Sequence, residues 1–168
     1  MSFSLYDATV PLMIRTLTNL SKIIDKAVAQ AKTEDKPLAE LIGAQLAPDM
    51  RPFSFQIQSA SDAAKGCAAR LANVAVPSMP DTETTFPELQ QRIAKTIDFL
   101  KTIKPEQLAG AEDREIVLKF PSGEYKFTGK DFATNFSLPN FFFHVTTAYA
   151  LLRHKGIAIG KMDFLGGV

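Results

Sequence analysis

The sequence predicts an all-α protein, a bundle of four long helices with a short two-stranded β-hairpin inserted before the last of them. Three observations predict it. Apolar residues recur at steps of three and four along four long stretches, the spacing that lines one face of a helix. Capping residues stand where those stretches begin, and prolines or a glycine where they stop. Between the third and fourth stretches the period changes to rough alternation around Pro121, Ser122 and Gly123, the pattern of a tight hairpin.

The first helix runs from Leu5 to about Lys32, with Tyr6, Val10, Met13, Leu17, Leu20, Ile24, Ala27, Val28 and Ala31 as its apolar stripe. Ser4 caps it, and Asp7 lies in the first turn, where a carboxylate meets the positive end of the helix dipole. Pro11 lacks the amide hydrogen that a helix interior uses, so it is expected to kink this helix or mark its true start. A connection carrying a short helix follows, from Thr33 to Asp49, around Leu38, Leu41, Ile42 and Leu46.

Pro52 suits the first turn of a second long helix, Phe53 to about Asn73. Phe53, Ile57, Ala60, Ala64, Cys67 and Leu71 form its core stripe. The other face holds Phe55, Ser59, Ala63, Gly66 and Ala69, with only Asp62, Lys65 and Arg70 charged, so this helix is expected to be buried nearly all round. The segment from Asn73 to Thr85 has two prolines and no sustained period; it reads as a crossing loop, long for a simple hairpin connection. Thr85 followed by Glu88 is a capping box that opens a third helix reaching about Ile103. Phe86, Leu89, Ile93, Ile97 and Leu100 are its buried stripe, and Gln90, Gln91, Arg92, Lys95 and Lys101 are expected to face solvent.

Pro105 ends that helix, and the hairpin lies within Glu115 to Gly129. Two strands alone are only marginally stable, so the hairpin should lie against the bundle. A turn near Lys130 and a link over Ala133 to Ser137 lead to the fourth helix, in which Pro139 takes an early position and Gly156 supplies the stop. Arg153, His154 and Lys155 complement the negative end of its dipole. The tail from Ile157 to Val168 is expected to be extended or looped.

The 168 residues suit a single domain able to bury a sizeable core. With 19 basic and 18 acidic residues, the net charge of +1 offers no global field to draw nucleic acid or an anionic membrane. No apolar run approaches the roughly 20 residues of a membrane-crossing helix. Cys67 stands alone and cannot form an intramolecular disulfide. The N-terminus has no basic leader before an uninterrupted apolar segment, so a soluble, cytoplasmic protein is expected.

The chemistry concentrates in Phe136 to Lys155, which holds the densest aromatic run and both histidines. Asn140, His144, Thr147 and Leu151 share one helical stripe. His144 is either a core histidine held by one polar partner or a general base or metal ligand, because an imidazole of ordinary pKa about 6.5 gains and loses protons near neutrality. Its own helix supplies no second imidazole, since Ala148 stands one turn on and His154 belongs to the helix end. Asp62, an isolated carboxylate on a small apolar helix, must be paired, protonated or solvated. It either pairs with Lys65 or turns inward with Gln58 to orient His144; the helical wheel, which sets it opposite Ile57, Ala60 and Ala64, favours the first. Phe132, Phe136, Phe141, Phe142, Phe143 and Tyr149 either fill a core or dimer seam or line a pocket for an aromatic or lipid-like ligand. Cys67, on the core stripe with no neighbouring cation, reads as an inert buried thiol. No phosphate-binding glycine loop, paired-histidine metalloprotease motif, CxxC or nucleophile elbow occurs.

The stretches SLYDATVPLMIRTL, QIQSASDAAKGCAARLA, FPELQQRIAKTIDFL and NFFFHVTTAYALLRHKGIAIGKMDFLG together resemble a family known as a domain of unknown function, itself similar to the DinB/YfiT-like four-helix bundles. The resemblance covers nearly the whole chain. It implies a DinB-like bundle, a fold that includes metal-dependent enzymes, among them thiol-dependent transferases. Members with an intact site hold a divalent metal through three histidines, one from the second helix and two about a turn apart near the last. Here His144 fits a last-helix position, Ala148 takes the place one turn beyond, and the second helix offers only Gln58 or Asp62. The resemblance thus implies a degenerate metal pocket with Asp62 and His144 as its remnants.

Two functions follow as expectations. The first is a binding or structural homodimer, with no assigned cofactor or metal and no nucleic-acid or membrane partner. The second is a transferase or hydrolase type of enzyme, dependent on a metal or on His144, acting on a small molecule in an aromatic-lined pocket. In that case His144 is base or ligand, Asp62 orients it, and Gln58, Asn140, Thr147 and Tyr149 contact the ligand.

Overall fold

Helix α1 (Leu5–Thr33) starts as its sequence requires: Ser4 Oγ accepts from the Asp7 amide at 3.2 Å, and the Asp7 carboxylate accepts from the Ser4 amide at 3.1 Å. Pro11 lies inside the helix, on its exposed side, and does not mark the start. The structure is a computed structural model and describes residues 4–167; Val168, the end of the expected tail, lies outside the described residues. Helix α2 (Leu38–Ile42) is the short helix of the first connection. Helix α3 (Phe53–Leu71) begins one residue after Pro52, and helix α4 (Phe86–Thr102) carries the Thr85 and Glu88 capping box.

The core stripes read from the sequence meet in the middle. Met13, Leu17, Leu20 and Ile24 of α1, Phe53, Ile57, Ala64, Cys67 and Leu71 of α3, and Leu89, Ile93 and Leu100 of α4 are all buried. Polar residues of α3 such as Gln56, Gln58, Ser61 and Lys65 are buried as well, so this helix is enclosed nearly all round. Phe53 packs on Phe86 and Asp62 meets Arg92, which makes α3 and α4 parallel. The crossing loop of residues 72–85 therefore runs back along the length of α3.

Arg92 departs from the expected solvent face. Its guanidinium is buried because the crossing loop folds over it: Nη1 donates to the Pro80 carbonyl at 3.1 Å and to Glu83 at 3.0 Å, and Nη2 pairs with Asp62 at 2.7 Å and Asp81 at 2.9 Å. Helical periodicity cannot foresee a loop laid across a helix face.

Strands β1 (Glu115–Phe120) and β2 (Gly123–Thr128) form the expected antiparallel hairpin, with Ile116 opposite Phe127 and Phe120 opposite Gly123. Ile116 and Leu118 turn into the core. Phe120 and Phe127 lie 6.3 and 5.8 Å from Phe136, and Phe127 lies 6.1 Å from Phe132, so aromatic packing fastens the hairpin to the bundle. The hairpin leads directly into helix α5 (Gly129–Asp131). A Cβ at Gly129 would collide with the Ala111 carbonyl, so only glycine allows that approach.

The expected link over Ala133 to Ser137 is helical instead. Phe132–Ser137 form a π-helical turn, in which the Leu138 amide reaches back five residues to the Ala133 carbonyl, and the turn runs unbroken into helix α6 (Leu138–His154). Widened turns lack a sequence period of their own. Gln56 near the start of α3 meets His144 inside α6, and Cys67 near the end of α3 meets Ser137 just before α6, so the two helices are antiparallel. The tail differs too: Lys161–Leu165 form helix α7, which docks on α1 through the Asn19 amide on the Phe164 carbonyl and the Lys26 to Asp163 ion pair. Five residues gain helical form only through such docking. No described helix is long and apolar enough to cross a membrane.

Candidate functional site

Opposite its core stripe, α3 presents a second stripe of Ser59, Asp62, Ala63 and Arg70, spaced to share one helical face. This stripe is the floor of a cleft of about 230 Å³. The π-turn and α6 supply one wall through Phe132, Phe136, Ser137, Asn140 and His144. Leu118 and Phe120 of β1 form the rim, so the hairpin closes the cleft on that side. Three of the sequence-selected residues, Asp62, Asn140 and His144, meet here. The stripe that begins with Asn140 and His144 then runs inward to buried Thr147 and Leu151.

His144 is half-buried, edge-on to Phe55 at 6.1 Å and Phe143 at 5.3 Å. Its Nδ1 lies 2.8 Å from Gln56 Oε1, while Gln56 Nε2 donates to the Arg51 carbonyl at 3.0 Å. The second bond fixes the amide orientation, so Oε1 must accept and Nδ1 must carry the proton. Nε2 is left as the unprotonated acceptor, with no hydrogen-bond partner among the described residues. Burial also pushes the imidazole below its ordinary value, which favours this neutral form.

Asp62 borders the cleft, yet its Oδ1 already takes Arg92 at 2.7 Å and Lys65 at 3.0 Å. The local Lys65 pairing expected from the sequence is present; the closer partner, Arg92, is one that helical periodicity sets toward solvent. Burial raises Glu83 in the same cluster, but hydrogen bonds from Gln58 and Arg92 outweigh it and leave the carboxyl below its ordinary value. Burial opposes the Arg92 charge, and the Glu83 hydrogen bond with the fields of Asp62, Glu83 and Asp81 reverses this and raises its pKa.

Gln58 therefore belongs to this cluster, its amide donating to Glu83 at 3.0 Å. Thr147 is buried with its hydroxyl on the Phe143 carbonyl at 2.7 Å. Tyr149 packs edge-on against Phe164 at 5.9 Å. None of the three borders the cleft. Of the aromatic run, Phe132 and Phe136 reach the cleft, Phe141 is in the core and Phe143 is exposed.

The cleft also holds two residues that the sequence does not mark as site residues. Cys67 is fully buried at its floor, and burial pushes the thiol up to about 11, against weaker opposite effects of the Ser137 hydroxyl and Arg70. A cation does neighbour this thiol, then, but desolvation dominates. In the sequence Arg70 is one of three charges on α3. A signal for it existed: Gly66 stands one turn earlier on the same face, and long helical side chains lean toward the helix N-terminus. A Cβ on Gly66 would lie 2.5 Å from Arg70 Nη1, so the missing side chain makes room for the guanidinium.

Residues 5–165 match the model of the family described as Domain of unknown function (DUF1993). The chain belongs to that family. Among solved structures it is similar to a DinB family member protein from Shewanella denitrificans, with a TM-score of 0.91 and 38% identity over 98% of this chain and 93% of that one. The expected DinB-like bundle with its inserted hairpin is thereby shown. No curated protein matches. Among the described residues of this DUF1993 chain, no three His, Cys, Asp or Glu side chains come together as a metal-holding group.

Proposed function

We propose that this protein is a binding bundle that keeps the DinB-like fold with a degenerate metal pocket, and that a small molecule occupies the cleft beside His144. The observation that carries this reading is the donor set of the cleft. It offers one imidazole, whose Nδ1 is engaged by Gln56, one carboxylate, whose Oδ1 is engaged by two cations, and the fully buried Cys67 thiol, which burial keeps protonated. Those donors do not fit a three-histidine divalent site, which needs several soft or anionic ligands converging on one point. They do suit an organic ligand, because aromatic walls provide contact area while His144 Nε2 and Asn140 provide directional hydrogen bonds.

The test is metal analysis of protein purified without a histidine tag, followed by a thermal-shift screen of small molecules on the wild type and His144→Ala. Metal-free protein whose hits lose their shift in the variant supports the reading. Stoichiometric zinc or nickel that disappears in His144→Ala overturns it.

A second reading rests on the fixed tautomer of His144. A neutral imidazole with its Nε2 lone pair unpartnered is a competent general base, with Gln56 as the group that positions it. Turnover of any transferase or hydrolase substrate that is lost in His144→Ala establishes that chemistry, and its absence across a broad panel removes it. Homodimerisation is part of the first reading and is supported by Phe143, which is 57% exposed. Sedimentation that shows only monomer at micromolar concentration overturns it. A cytoplasmic location is proposed with it, on the support of the single buried thiol.

A further inference from the structure

We propose that Arg70 is an anchor for a carboxylate, and that the cleft takes a small organic monocarboxylate with an apolar or aromatic body. This deepens the binding reading above and rests on it. Arg70 is half-buried on the cleft stripe of α3, yet it has no ion pair and no side-chain hydrogen bond among the described residues. The other buried cations of the same helix pair are ion-paired: Arg92 through both Nη atoms with Asp62, Asp81 and Glu83, and Lys65 with Asp62 and the Pro77 carbonyl. Burial works against the Arg70 charge with no carboxylate in contact to offset it. A guanidinium held in a cleft with no partner among the described residues has donors free to receive an anion.

Gly66 is the second, independent observation. An interior helical glycine is unfavourable relative to alanine, and here its one structural effect is to let the guanidinium lie back over the helix instead of reaching into solvent. The neighbouring chemistry sets the ligand class. A planar guanidinium fork matches a carboxylate in bidentate fashion. Asp62 lies eight positions earlier on the same helix, and although Arg92 and Lys65 hold its Oδ1, its cluster with Asp81 and Glu83 has three carboxylates to those two cations, an excess that opposes a second anionic group at that end of the floor. Phe132, Phe136 and Leu118 line the space between as an apolar wall, and Asn140 can bond a polar substituent. A single cation with a carboxylate nearby suits a monoanion better than phosphate.

The experiment is calorimetric and ligand-observed NMR titration of the full chain with phenylacetate, phenylacetamide and inorganic phosphate. The expected result is phenylacetate affinity about tenfold or more above that of phenylacetamide, as a charge-assisted hydrogen bond implies. Arg70→Gln brings phenylacetate down to the affinity of the amide. Gly66→Ala, which displaces the guanidinium without removing it, weakens phenylacetate several-fold by the same reasoning. Equal binding of acid and amide, unchanged in Arg70→Gln, overturns the anchor while the cleft reading stands. Binding of neither also overturns it, and the cleft reading is then decided by the His144→Ala screen. Phosphate that displaces phenylacetate at comparable concentration overturns the monocarboxylate class.

Discussion

Arg92 Nη2 donates to Asp62 Oδ1 at 2.7 Å, and through this contact the carboxylate nearest His144 in sequence logic becomes part of a structural knot. The knot ties α3, α4 and the crossing loop together. Arg92 has 1% of its side chain exposed, whereas Asp62 and Asp81 are 45% and 50% exposed. Removing one partner of a fully buried pair costs about 3–5 kcal/mol, and solvent at the acidic ends reduces that here to about 2–3 kcal/mol for Arg92→Ala. Urea unfolding measures the loss, and hydrogen exchange should accelerate at residues 73–85 specifically. A variant as stable as the wild type would show that the knot contributes nothing.

The imidazole of His144 gives acid sensitivity of a defined sign. Burial holds its folded pKa below the ordinary 6.5. The unfolded chain then binds the proton at higher pH than the folded one, so this contribution is complete above about pH 6.5 and declines as pH falls toward the folded value. Glu83, whose folded pKa is also depressed, loses its contribution only as pH falls below its ordinary 4.5. Denaturation midpoints between pH 8 and 5 should therefore fall in the wild type and flatten in His144→Phe. An identical slope in both would place the loss elsewhere.

Gly66→Ala should separate stability from binding. Replacing an interior helical glycine gains about 0.5–1 kcal/mol, and the atom in the way is the mobile tip of Arg70, which can move aside. A raised thermal midpoint is the expected outcome. A lowered one would mean that the guanidinium position is itself a stabilising feature of the fold.

Cys67 should be silent despite bordering the cleft. With no exposed surface and its thiol pushed up to about 11, it offers almost no thiolate at neutral pH. Alkylation by iodoacetamide at pH 8 should require denaturant. Fast labelling of the folded protein would reveal access that the structure does not show.

Much of the fold was legible because its determinants are local. The core stripe from Phe53 to Leu71, the Ser4 cap, the Thr85 and Glu88 capping box and the Pro121 to Gly123 turn depend on residues within a few positions of one another, and each forms as read. The π-turn and α7 were missed for the opposite reason, since neither has a period and both are held by what they pack against. In the site, the spacing of Asn140 and His144 was enough to place them together. Asp62 was located on the correct face, away from Ile57 and Ala64, and its pairing with Lys65 was legible, but its second partner, Arg92, was not.

By itself the sequence determined the four amphipathic helices, their ends, the inserted hairpin, and a total of two histidines. Helical periodicity and capping are short-range, and a residue count needs no coordinates. Only the tertiary structure decided that Arg92 is buried, that Gln56 fixes the tautomer of His144, and that Arg70 lies in the same cleft with no side-chain partner among the described residues. Those outcomes depend on a loop folded across a helix and on two antiparallel helices brought to a particular depth. Side chains separated by as many as 88 positions in the chain meet there, and no local pattern encodes that meeting.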